Sequence, residues 1–132
     1  MGKPSKKNEH HSANRVSALT VRLAPRKARI VVDLIRGKGV YDALSVLRYT
    51  EKRGAGIIEK LIESALSNIE SAGTMDVDTL YVTRAWVNEG PTLRRFMPRA
   101  QGRATRIRKR TCHIHIELNN ISSPAKKAAV TE

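Results

Sequence analysis

The residues best equipped for chemistry in this chain are arginines. Between Gly90 and Ile116 stand Arg94, Arg95, Arg99, Arg103, Arg106, Arg108, Lys109 and Arg110, with no Asp or Glu among them. Seven of the eight are Arg, whose planar guanidinium grips phosphate bidentately and stacks on bases. Cations so close together repel one another unless an anion lies across them. Pro91 and Pro98 stiffen the segment, and Gly90 and Gly102 allow tight turns or close backbone approach. A polyanion matches this pattern, and nucleic acid carries the required charge per unit length. The competing reading is a solvated charged loop, yet solubility rarely needs charge of a single sign.

A second candidate is the helix opened by Ala24-Pro25. Its first turns carry Arg26, Lys27 and Arg29, and a helix start can hold a phosphate on its unpaired N–H groups. Lys3, Lys6 and Lys7 add loose phosphate contacts near the N-terminus. His113 and His115 share one strand face, but Cys112 falls on the other, so the three make no metal site. Cys112 reads as a small core residue. No nucleophile–base pair, convergent carboxylate pair or phosphate loop appears, so no catalytic residue, metal or cofactor is assigned. Aromatics are few. Trp86, Tyr81, Tyr41 and Tyr49 fall on amphipathic elements and read as core or core edge, which leaves Phe96 as the aromatic expected to be exposed.

These side chains need elements to position them. Alternation over 16–23, with Leu19, Val21 and Leu23 on one face, predicts a short strand. Pro25 starts a helix in which Ala28, Val31, Val32 and Ile35 form the apolar stripe, and Gly37 caps it. A short helix follows over 41–49. Residues 55–71 give the clearest helix, with Ile57, Ile58, Leu61, Ile62, Ala65, Leu66 and Ile69 in one stripe and Gly73 at its end. Strands are predicted over 80–87 and 106–118, the latter with Cys112, Ile114, Ile116 and Leu118 on one face. The connection between them is far longer than a tight hairpin turn, so the ribbon should extend beyond the body.

The 132 residues carry 25 Lys+Arg against 12 Asp+Glu, a formal net charge of +13. A mildly acidic middle, 40–81, lies between basic segments, as expected of a folded body with polyanion-facing extensions. One cysteine excludes an internal disulfide and fits a reducing cytosol. No apolar run approaches the length of a membrane span, and the first residues show no apolar signal region. The expected organisation is a basic disordered tail over 1–13, a single domain over 14–118 with its hairpin at about 87–107, and a disordered tail over 119–132. No feature announces a homo-oligomer.

The hairpin has a further resemblance. Val87-Asn88-Glu89-Gly90-Pro91, then Arg94-Arg95-Phe96-Met97-Pro98-Arg99-Ala100-Gln101-Gly102-Arg103-Ala104, resembles the signature of the bacterial-type large-subunit ribosomal protein twenty-two family. The likeness continues through Ile107-Arg108-Lys109-Arg110-Thr111-Cys112-His113-Ile114 and includes Arg26-Lys27-Ala28-Arg29, Val32-Asp33-Leu34-Ile35-Arg36-Gly37 and Ala43-Leu44. It implies an α+β fold, a small antiparallel sheet packed on three helices with one long protruding basic β-hairpin. It also implies a cytoplasmic, ribosome-bound structural protein that binds large-subunit rRNA, touches neighbouring ribosomal proteins and aids early assembly. The hairpin tip would line the nascent-peptide exit tunnel and meet the nascent peptide. By position in the motif, Pro91, Leu93, Arg94 and Arg95 would form that tip. Gln101 stands where relatives often carry a basic residue. The alternative is a DNA-architectural protein whose β-arm enters the minor groove and wedges Pro91 or Pro98 there.

Overall fold

The computed structural model describes residues 14–120. The tails expected over 1–13 and from 121 onward lie outside the described residues. Strand β1 (Arg15–Val21) leads into helix α1 (Pro25–Ile35), α2 (Val40–Tyr49) and α3 (Arg53–Ala72). A 3-10 turn, Val77–Thr79, precedes β2 (Leu80–Glu89); β3 (Leu93–Pro98), β4 (Ala104–Lys109) and β5 (Cys112–Asn120) follow. The body is a three-stranded antiparallel sheet, order β1-β5-β2, packed on three helices, and β3 and β4 form a separate two-stranded ribbon. The fold is α+β, as the sequence implies.

The core forms where the predicted stripes meet. Ala28, Val31, Val32 and Ile35 of α1 and Ile58, Ile62, Ala65 and Ile69 of α3 are buried with Cys112, Ile114, Ile116 and Leu118 of β5. β5 is the central strand, so one of its faces is sealed by helices while His113, His115 and Glu117 occupy the other. Gly37 (φ 78°) follows α1 and Gly73 (φ 60°) ends α3, both in the left-handed region that a Cβ disfavours.

β1 departs from simple alternation. Leu19, expected on the buried face, is 66% exposed, and Val16 points inward instead. The register with β5 shifts between Ala18 and Val21, and Thr20 has φ 54°. A bulge there reverses the alternation, so Val16 before it and Leu23 after it both reach the core. β5 also runs two residues past Leu118, taking Asn119 and Asn120 out of the expected tail. Asn14 is tied to that end, its Nδ2 donating to Asn119 Oδ1 at 2.9 Å.

The outer edge of β2 is covered from α1. After the helix, Gly37 N–H donates to Val82 O and Val82 N–H to Lys38 O, each at 2.9 Å. Further along, Arg36 donates from Nε (3.2 Å) and Nη2 (2.8 Å) to Ala85 O. Arg29 Nη2 approaches Val87 O at 3.4 Å. Guanidinium groups thus satisfy carbonyls that would otherwise invite another strand.

Candidate nucleic-acid interface

The basic ribbon is built by register. Leu93 pairs with Lys109, Arg94 with Arg108, Arg95 with Ile107, Phe96 with Arg106, Met97 with Thr105 and Pro98 with Ala104. Opposed residues share a face, so Arg94 and Arg108 stand directly across from each other. With Arg106 and Arg110 they line one concavity of about 280 Å³. The other face carries Leu93, Arg95 and Lys109. Like charges opposed across a ladder cost stability, and among the described residues none of these arginines has a carboxylate partner. The two ion pairs among the described residues join Arg36 to Asp33 (2.7 Å) and Arg48 to Glu59 (3.0 Å), both on the helical body.

The ribbon turns at its far end through Arg99, Ala100, Gln101, Gly102 and Arg103. Arg99 N–H donates to Arg103 O at 2.7 Å, and Gln101 (φ 62°) and Gly102 (φ 68°) supply the left-handed pair. Pro98, unable to donate to a ladder, ends β3. The tip therefore lies at Arg99–Arg103. Pro91, Leu93, Arg94 and Arg95, expected at the tip, stand at the other end, where the ribbon leaves the body. The cause is the register: Leu93 is the first residue of the β3–β4 ladder and Pro98 the last before the turn. Phe96 is exposed as expected, at 72%, and pairs with Arg106 across the ladder.

The root is held by a short network. Gly90 N–H donates to Thr111 O at 2.9 Å, and the Thr111 hydroxyl donates to Pro91 O at 2.6 Å. Thr111 is buried, and a Cβ on Gly90 would come within 2.5 Å of its Oγ1. Glycine is required here by close approach. Beside the root, the ribbon and the body enclose a cleft of about 490 Å³. Arg22, Lys27 and Arg53 enter it from the body, and Arg95, Lys109 and Arg110 from the ribbon.

Of the residues expected on α1, Lys27 faces this cleft and Arg26 is exposed. Arg29 instead reaches the β2 edge. The start of α1 also has fewer unpaired donors than expected: Pro25 has none, and the N–H groups of Lys27 and Ala28 both go to Ala24 O. Arg22 and Arg53 were missed in the sequence. Arg22 is isolated between apolar residues, and Arg53 lies in the acidic middle of the chain. The signal that could have found them is position, since each lies within three residues of a helix start.

On the outer face of the body sheet, Trp86 and His115 stack at 5.1 Å between ring centroids, 18° apart in plane. The Arg15 guanidinium lies 5.1 Å from the Trp86 ring centroid. Trp86 is thus half-buried outside the core, and Tyr41 and Tyr49 are exposed, Tyr49 by 89%; Tyr81 is buried. The short helix α2 buries only Val40, Ala43, Leu44 and Leu47, which turns both tyrosines outward. Burial lowers the His115 pKa, with Arg15 and His113 adding to the effect. His113 Nδ1 accepts the Thr20 N–H at 2.8 Å, which secures the bulge. Burial raises the Cys112 pKa against the opposing pull of Arg29, which keeps the thiol protonated. Among the described residues no group of three His, Cys, Asp or Glu could hold a metal, and no helix is long and apolar enough to cross a membrane. Residues 16–119 match the family model described as Ribosomal protein L22p/L17e.

Proposed function

Because the chain belongs to the L22p/L17e family of ribosomal proteins, structural constituents of the large ribosomal subunit in the cytoplasm, we propose that its ribbon is a finger neutralised by large-subunit rRNA. The observation that carries this reading is Arg94 opposed to Arg108, with Arg106 and Arg110 beside them and, among the described residues, no carboxylate on that face. A free ribbon gains nothing from that arrangement. A ribbon surrounded by phosphates gains charge-assisted hydrogen bonds on both faces. Arg26, Lys27, Arg99, Arg103 and Lys109 extend the contact area. The helical body docks at the subunit surface beside neighbouring ribosomal proteins, and binding of several RNA segments by one finger aids early assembly. The role is structural and no reaction is assigned.

Contact with the nascent peptide in the exit tunnel belongs to the end of the ribbon furthest from its root. That end is the turn Arg99–Arg103, so the tunnel-lining role moves there from Pro91, Leu93, Arg94 and Arg95. The test of the main reading is a competition at equal moderate salt. The full chain should prefer large-subunit rRNA fragments to duplex DNA of equal charge. Equal affinity would favour the DNA-architectural alternative, in which exposed Pro98 wedges the minor groove.

A further inference from the structure

The ribbon is poorly anchored by packing. β3 and β4 pair with each other, while the extensive contacts of the body run among β1, β2, β5 and the helices. Its direction depends on the two short connections at the root, Gly90-Pro91-Thr92 and Arg110-Thr111, and on the hydrogen bonds of Thr111. The cleft beside that root has cations on both walls and, among the described residues, no carboxylate in its lining. Arg22, Arg53 and Arg95 are all exposed, and none of them forms an ion pair among the described residues. Like charges on the two walls repel each other unless an anion lies between them.

The lining also offers apolar surface. Leu23 and Leu93 lie in the lining, and Leu23 is buried against Gly54, where an added Cβ would approach Leu23 Cδ2 to 3.1 Å. The volume falls within the ~300–1,000 Å³ typical of small-ligand sites. Cationic walls with Leu23 and Leu93 in the same lining fit a phosphodiester backbone with its sugars better than a compact inorganic ion.

We infer that this cleft is a phosphate clamp: one RNA strand lies in it, bridging Arg22, Lys27 and Arg53 of the body to Arg95, Lys109 and Arg110 of the ribbon, and thereby fixes the angle at which the ribbon leaves the body. The inference rests on the rRNA reading above. It adds that the body and the ribbon share one strand at the root, and that the bound strand sets the ribbon's direction.

The test uses the full chain with a short oligouridylate as the RNA probe and tripolyphosphate as a polyanion without sugar or base. Arg53→Ala on one wall and Arg95→Ala on the other should each weaken oligouridylate binding several-fold. Each should lower the slope of log K against log salt by about 0.7 per lost contact. The double variant should lose less than the product of the two single losses, because groups that share a ligand couple. A second readout follows direction. Energy transfer from Trp86, the sole tryptophan, to a dye on Gln101→Cys should show a narrower distance distribution when oligouridylate is added. Buried Cys112 stays unlabelled. The narrowing should be absent in the Arg53→Ala background.

Strictly multiplicative losses, an unchanged slope, or a distance distribution indifferent to RNA would each overturn the clamp. So would binding of tripolyphosphate without binding of oligouridylate. If the parent chain prefers large-subunit rRNA while the cleft variants behave like the parent, the clamp fails alone. If the parent shows no such preference, the broader rRNA reading fails.

Discussion

Gly90 shows how much one hydrogen atom can decide. Its amide donates to Thr111 O, and a Cβ there would meet Thr111 Oγ1 at 2.5 Å and His113 Cε1 at 3.3 Å. Thr111 cannot retreat, because it is buried and its hydroxyl donates to Pro91 O. Gly90→Ala should therefore destabilise the protein by about 1–3 kcal/mol, the usual cost of overpacking. Thr111→Ala removes the obstructing hydroxyl and should itself cost about 1 kcal/mol for the lost hydrogen bond. The double variant should be more stable than the sum of the two losses allows, since one substitution relieves the clash the other creates. Urea unfolding of the four proteins reads this directly; additive losses would mean that Gly90 is needed for some other reason. The sequence marks Gly90 for a tight turn or a close backbone approach. It could not reveal which group is approached, because Thr111 lies 21 positions later in the chain.

At the scale of elements, periodicity carried most of the fold. The stripes of α1 and α3 and the buried face of β5 could be read because each follows a single period without interruption. β1 could not, because the bulge at Leu19–Thr20 changes its face midway, and nothing local in Leu-Thr-Val announces a left-handed threonine. The position of the ribbon's turn was likewise hidden. It is set by the pairing of two strands, and charge composition is blind to register. The arginines of α1 illustrate the same limit. Arg29 and Arg36 look alike in composition to Arg26, yet both aim at β2 carbonyls. Arg36→Ala removes two donors from Ala85 O and its pair with Asp33, exposing the sheet edge. The body should lose about 1–2 kcal/mol, since hydrogen bonds from charged groups are worth more than neutral ones and solvent screens this half-exposed one. The salt slope of rRNA binding should stay at the parent value. A changed slope with unchanged stability would place Arg36 on RNA and not on the sheet.

For the whole molecule, affinity and stability should pull in opposite directions along the ribbon. Arg94 faces Arg108 across its ladder with Arg106 and Arg110 close by, and the two ion pairs among the described residues lie elsewhere. Removing Arg106, Arg108 and Arg110 together, each to Ala, takes three cations from the end of one hairpin strand. In the free protein this relieves repulsion, so the melting temperature should rise at low salt. The gain should shrink as salt screens the parent's charges, whose range falls to about 8 Å near physiological ionic strength. In the complex the same three residues face phosphates, so the slope of log K against log salt should fall by about 0.7–0.9 for each lost contact. Thermal melts across a salt series and binding isotherms over the same series measure both quantities on one set of proteins. A lower melting temperature with an unchanged slope would mean that the arginines serve the ribbon itself. The opposite signs are what distinguish a segment shaped for its own stability from one completed by its partner. They also fit a chain of +13 charge that sets eight of its 25 Lys and Arg on a ribbon whose two strands pack chiefly on each other.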